Sequence, residues 1–307
     1  MTAALTDRAA AAVPPKGTAA RSRPRRRVAP YLFVLPALLL FATFKIYPIV
    51  RSFVISLHKS VGGTEQFVGA DNYTRLLGDS LFWTALKNTA VILVVQVPVM
   101  LALATGLAVA LNSRLLRGRA VFRLGFFLPM VTGLVAYGVI FSVLLNKDFG
   151  LVNWLMELVG LDAVPWLTDP LWAKVSLGLA LTWHYTGYNA VILLARLQAV
   201  PAELYDAAAV DGAGAWTSFR HVTLPGLRPA LLLTTVLSTI GTLQVFDEPY
   251  VLTGGGPDNA TLTIGVYLYQ NAFKYFDFGY ASAIAYALAV LIGILGVIQF
   301  RLLGEKT

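Results

Sequence analysis

The chain has 307 residues, of which 57% are hydrophobic and 13% charged, and its mean hydropathy is +0.68. A soluble domain carries about 25% charged residues, so too little polar material is present for a soluble enzyme, a disordered chain or a disulfide scaffold. The formal charge of +8 comes from basic residues that flank apolar runs, which points to membrane orientation and not to nucleic acid, and the absence of cysteine excludes thiol catalysis and Cys-ligated zinc.

In chain order, residues 1–29 form a tail that ends in Arg21-Ser-Arg-Pro-Arg-Arg-Arg27 and has no apolar pattern. It is expected to be disordered and cytoplasmic, followed by an uncleaved signal anchor. Six runs free of Asp, Glu, Lys and Arg come next: Val28–Phe44, Asn88–Leu111, Leu124–Asn146, Val175–Ala195, Pro229–Phe246 and Phe278–Phe300. The first extends past Lys45 and Arg51 to Leu57, and the fifth past Asp247 and Glu248 to Leu252. At about 20 residues per crossing, the expectation is an all-α integral membrane domain of six transmembrane helices over residues 30–307. Of the 24 Lys and Arg residues, 16 fall on one side of this topology, which predicts that both termini are cytoplasmic. Asp247 and Glu248, at the outer end of span five, are expected to be solvated, with contact to an external partner protein as the alternative.

The inner link between spans four and five, 201–225, carries the most information. Pro201 suits a helix start, Glu203 and Asp206 are expected in the first turn, and Leu204, Ala207, Ala208 and Asp211 continue at helical spacing. Gly212 and Gly214 end that helix, and Trp216–Val222 forms a second short helix before Pro225. The small Ala/Gly face permits close approach of another protein, with Trp216 and Phe219 as apolar anchors; an interfacial helix resting on lipid has the same composition. Asp206-Ala207-Ala208, then Gly212, then Val222-Thr223-Leu224-Pro225 resembles the EAA loop of binding-protein-dependent ABC importer permeases, written E-A-A-x3-G-x9-I-x-L-P. The spacing is kept, with Asp for Glu at 206 and Val for Ile at 222.

Further segments (Phe67–Tyr73, Arg119–Arg123 with Leu128-Pro129, Leu197–Tyr205, Leu252–Pro257 and Gly279–Ala283) resemble the carbohydrate-uptake branch and its maltose-type F permease. The resemblance implies the type I importer permease fold in a bacterial plasma membrane. It also implies a second, G-type permease, two ATPase subunits that hold ATP and magnesium, an extracytoplasmic binding protein and a sugar substrate. Docking on the ATPase is assigned by this likeness to Glu203, Asp206, Ala207, Ala208, Gly212, Trp216, Phe219, Val222, Leu224 and Pro225.

The chain has no G-x4-G-K-[ST] phosphate loop and no H-E-x-x-H, and its three histidines lie far apart, so no catalytic, cofactor or metal site is expected in it. No acidic residue sits mid-span where a proton-coupled carrier needs one. Span four offers aromatic and polar groups in Thr182–Asn189, with residues 181, 184, 185 and 188 on one helix face, and span five offers Ser238, Thr239, Thr242 and Gln244. In the maltose-type permeases the sugar-contacting positions match Leu181, His184, Tyr185, Tyr188, Ser238 and Thr242, while the matching Met130 and Leu134 have lost polarity. Glycerol-3-phosphate or a glycerophosphodiester is the rival solute. A stand-alone carrier or channel is the rival of another class.

Overall fold

The computed structural model describes residues 29–61, 64–113, 116 and 118–303. The basic tail expected over residues 1–29 falls outside these, except that Ala29 opens the first helix. The described residues fall into two compact units, divided between Val50 and Arg51. In the first, α1 (Ala29–Phe41) passes through a π turn (Ala42–Ile46) toward α2 (Tyr47–Ser56), and the side chains described for residues 31–50 are exposed. The wide turn has a local cause. Pro48 has no N–H for an ordinary helical bond, and in the turn ahead of it the Tyr47 N–H reaches the carbonyl of Ala42.

The second unit opens with a small antiparallel hairpin, β1 (His58–Val61) and β2 (Thr64–Phe67), in which His58 faces Phe67. Helices then follow: α3 (Asp71–Gly78), α4 (Ser80–Asn112), α5 (Arg119–Val131), α6 (Leu134–Leu144), α7 (Leu151–Leu158), α8 (Pro170–Leu197) and α9 (Ala202–Val210). After them α10 (Ala215–Ser218) runs through a second π turn (Phe219–Thr223) into α11 (Leu224–Leu243). The remaining elements are α12 (Asp247–Thr253), α13 (Ile264–Tyr269), a third π turn (Gln270–Lys274) and α14 (Phe278–Leu303). The hairpin is the exception to an otherwise all-α chain among the described residues.

Four helices are long and apolar enough to cross a membrane: Tyr31–Ser56, Ser80–Asn112, Ala215–Leu243 and Phe278–Leu302. The expected third span is not straight. It divides into α5 and α6, bent by 100°, and the pair makes at most one further span. Pro129 lies in the last turn of α5, and Gly133 caps α6, so residues that weaken a helix bracket the bend. The expected fourth span is a single helix of 28 residues, α8, but Lys174, Thr182, His184, Thr186 and Asn189 make it less apolar than the other four. The expected fifth span ends at Leu243, and its extension past Asp247 is a separate helix, α12.

Where α4 and α8 cross, the core uses small residues that let long helices approach. Ala104 and Ala108 of α4 and Ala190 of α8 are fully enclosed, packed with Leu111 and Leu193. Next to this seam α8 meets α5 so closely that a Cβ on Gly187 would run into the Phe126 carbonyl oxygen. At the far end of α4, Asp79 forms a clasp. One carboxylate oxygen caps the helix by accepting from the N–H groups of Leu81 and Phe82. The other accepts from the hydroxyls of Tyr267 on α13 and Tyr280 on α14. Burial pushes this carboxyl up, but the four hydrogen bonds outweigh it and hold it below its usual range. Beside it Arg75 pairs with Asp277 at 2.6 Å, its guanidinium 3.9 Å above the Tyr280 ring.

Candidate functional site

Two places gather the residues singled out in the sequence. The first is the 201–225 link. Its α9 (Ala202–Val210) begins after Pro201, and Glu203 stands in the first turn, where a helix favours negative charge, whereas Asp206, expected there too, falls one turn further on. The helix ends in a Schellman motif: the Ala213 N–H bonds the Ala208 carbonyl at 2.8 Å and the Gly212 N–H bonds the Ala209 carbonyl at 3.1 Å. That closure requires a left-handed residue, and Gly212 has φ +75°. Glu203, Asp206 and Ala207 are exposed, Ala208 is half-buried, and no residue of α9 is buried.

Beyond Gly212 the expected second short helix does not stop before Pro225. Instead α10, the π turn and α11 form one continuous helix over Ala215–Leu243. Pro225 falls within the first two positions of α11, and the preceding π turn carries the Leu224 N–H to the Phe219 carbonyl. As at Pro48, a widened turn sits one turn ahead of a proline. Trp216 is 72% exposed and stacks on Phe219, with ring centroids 5.5 Å apart. Val222 is half-buried, and Leu224 and Pro225 are exposed. The link is tied down at its base: the hydroxyls of Tyr205 and Thr223 bond at 3.0 Å, and Arg196 Nε donates to the Gly226 carbonyl at 3.0 Å. The result is a braced shelf that leaves acidic, small and aromatic groups uncovered.

The second place is a cavity of about 250 Å³ between α4, α5, α8 and α11. Leu181, Tyr185 and Tyr188 line it from α8, and Ser238 and Thr242 from α11. Met130 of α5 adds an apolar contact, as the loss of polarity at that position implies, while the side chain of Leu134 lies outside what is described. None of the lining residues is charged. Apolar walls with a few placed polar groups are the usual make-up of a small-molecule site.

His184 does not line this cavity. It is 2% exposed and stacks on Tyr137 of α6, with ring centroids 4.5 Å apart, and meets Tyr185 edge to face at 4.6 Å. It shares the helix face of Leu181 and Tyr185 on paper, but α6 covers it. Gln96 of α4 is a polar wall residue that the span pattern does not single out, and Asn189 of α8, the last of the Thr182–Asn189 stretch, joins the wall as well. Asn189 falls next to Tyr188 but outside the face chosen, and its Nδ2 donates to the Tyr185 carbonyl at 3.0 Å. The expected solvation of Glu248 is also overturned. The turn after Leu243 folds α12 back, leaving Glu248 2% exposed with the Tyr185 hydroxyl donating to its Oε1 at 3.3 Å. Asp247 is half-buried.

Comparison with known proteins gives the family of the chain. Residues 100–306 match the family described as binding-protein-dependent transport system inner membrane component. The chain is 43% identical over 281 residues to the lactose transport system permease protein of Rhizobium radiobacter, covering 90% of this chain and 94% of that one. It is 35% identical to the arabinooligosaccharides transport system permease protein of Bacillus subtilis, over 91% and 90% of the two chains. Among solved structures, a chain of a bacterial ABC transporter involved in import of the acidic polysaccharide alginate superposes with a TM-score of 0.81 at 23% identity, over 91% of this chain and 96% of that one. The chain belongs to the inner membrane components of binding-protein-dependent transport systems, as an ABC-importer permease of the carbohydrate-uptake type.

Proposed function

We propose that this permease carries a sugar or short oligosaccharide through the cavity between α4, α5, α8 and α11, driven by ATP hydrolysed on separate subunits. The observation that carries the reading is the placement of Leu181, Tyr185, Tyr188, Ser238 and Thr242 around one uncharged cavity, in a chain whose relatives are named for lactose and arabinooligosaccharides. Tyrosine faces cover apolar sugar surfaces, and hydroxyl and amide groups replace water. The chain itself has no catalytic role. Its exposed Glu203–Ala208 helix and Trp216 dock on a partner ATPase, and a second permease and an external binding protein complete the importer.

In this reading α8 and the bent α5–α6 pair complete six spans, both termini face the cytoplasm and the 201–225 link lies on the ATPase side. Closure of the ATPases turns the cavity outward to meet the loaded binding protein. Reversing a 99:1 preference between inward and outward states takes about 5.5 kcal/mol of differential binding, delivered through one such link on each permease. A phosphate ester as solute is disfavoured because no Lys or Arg lines the cavity.

The test is purification of the tagged chain from its host in mild detergent, followed by reconstitution. Recovery of a second permease and an ATPase, with ATP-dependent uptake of lactose or arabinotriose in proteoliposomes supplied with the binding protein, supports the reading. Transport by the chain alone without ATP would establish a carrier instead.

A further inference from the structure

Glu248 is a carboxyl group placed where a membrane protein pays heavily to keep one. It is 2% exposed at the start of α12, and among the described residues no Lys or Arg pairs with it. A buried, uncompensated carboxylate costs several kcal/mol, so its retention calls for a reason beyond packing. Its surroundings supply one. The Tyr185 hydroxyl donates to Glu248 Oε1 at 3.3 Å, and the fully buried Tyr137 adjoins the carboxyl from α6. Tyr185 also lines the cavity, so a single side chain connects the buried acid to the proposed sugar site. Its ring is held by His184, which is itself stacked on Tyr137.

A tyrosine hydroxyl has one proton to give and lone pairs to receive. With that proton committed to Glu248, the oxygen offers the cavity acceptor capacity only. We infer that Glu248 is a specificity-determining positioning residue: it holds the Tyr185 hydroxyl as a hydrogen-bond acceptor, so that this part of the cavity selects a solute hydroxyl that donates. Groups that only accept, such as an ether, a carboxylate, a phosphate or a sulfonate, meet an acceptor there and leave both oxygens unpaired. The inference rests on the sugar-permease reading and adds a direction to one of its contacts.

The polarity of that contact is tested by replacing sugar hydroxyls with fluorine, which cannot donate. The assembled transporter is placed in nanodiscs without binding protein. Binding of lactose, arabinotriose and their monofluoro analogues is measured by saturation-transfer NMR titration. In wild type, fluorination at one hydroxyl is expected to weaken binding at least about tenfold, the equivalent of about 1.4 kcal/mol. In E248L the Tyr185 proton is released toward the cavity, and the penalty at that same position is expected to fall to within about threefold, since fluorine then has a donor. E248Q still offers Tyr185 an acceptor oxygen and should retain the wild-type penalty, and Y185F should lose it. A merely structural role for Glu248 would change overall affinity and leave the positional pattern intact, so an unchanged pattern in E248L refutes the inference. Should E248L fail to assemble, loss of the positional penalty in E248Q would refute it equally. Wild-type transporter that binds neither parent sugar refutes the sugar reading and this inference with it, whereas binding with one pattern in all variants refutes the inference alone.

Discussion

Replacing Gly212 by alanine isolates the contribution of one backbone conformation to coupling. Gly212 stands at φ +75°, and a Cβ built there meets nothing within 4 Å. The substitution therefore introduces no clash, and its cost is that of a left-handed alanine, about 1–2 kcal/mol. That energy opposes the closure in which Ala213 and Gly212 satisfy the carbonyls of Ala208 and Ala209, and it lowers the population of the closed helix end by roughly 5- to 30-fold relative to its alternatives. Because the position is exposed and a Cβ there touches nothing, insertion and assembly should be unaffected. The assay is uptake per ATP hydrolysed in proteoliposomes of the complete transporter, where G212A is expected to hydrolyse ATP with a several-fold lower transport yield. G212N should recover part of the yield, because asparagine tolerates the left-handed region. G212E should uncouple more strongly than G212A, since it adds a like charge beside Asp211. Equal yields for wild type and G212A, or no advantage of G212N over G212A, would refute the argument from the Schellman closure.

At Gly187 the opposite mechanism operates. A Cβ would run into the Phe126 carbonyl, so G187A must push α5 from α8 and should cost about 1–3 kcal/mol or more, read as a lowered melting temperature of the purified complex. For the clasp, D79A removes a helix cap and two tyrosine hydrogen bonds to a carboxylate, a loss of about 3 kcal/mol. The depressed native pKa of Asp79 means that its stabilisation is present above the unfolded-state value near 4 and is lost as pH falls through the native value. Thermal stability of wild type should accordingly decline below about pH 4 more steeply than that of D79N. Tyr188→Ala is expected to weaken sugar uptake at least severalfold while the complex still purifies intact; loss of assembly would instead assign Tyr188 to packing.

What could be read before the structure was what depends on local spacing. The Asp206–Pro225 pattern follows one helix, one turn and the start of another, and glycine at 212 already named the place of the turn. Leu181, Tyr185 and Tyr188 share a helix face by arithmetic alone, and the cavity wall includes all three. His184 satisfied the same arithmetic, but whether a face meets a cavity or a neighbouring helix depends on α6, which the spacing does not reveal. Glu248 and Gln96 were out of reach for a related reason. The apolar run through Val245 reads as uninterrupted helix, yet the chain leaves helix after Leu243 and α12 returns its acid to α8, 63 positions from Tyr185. The break between α5 and α6 is similarly a matter of packing direction. Pro129 and Gly133 mark where a bend is cheap, not that one of 100° occurs.

In the proposed importer the continuity of Ala215–Leu243 lets this helix serve as a mechanical arm. Trp216 lies near one end and Ser238 and Thr242 near the other, and 22 residues separate Trp216 from Ser238, a distance of about 33 Å at a rise of about 1.5 Å per residue. A swing of about 10° pivoting at the cavity moves the Trp216 end by about 6 Å at that length. Read the other way, a stroke of several ångströms at the shelf rotates the wall presenting Ser238 and Thr242 without moving it far. The arm trades distance for torque, so the walls of a 250 Å³ cavity can reorient while the long helices around it remain packed.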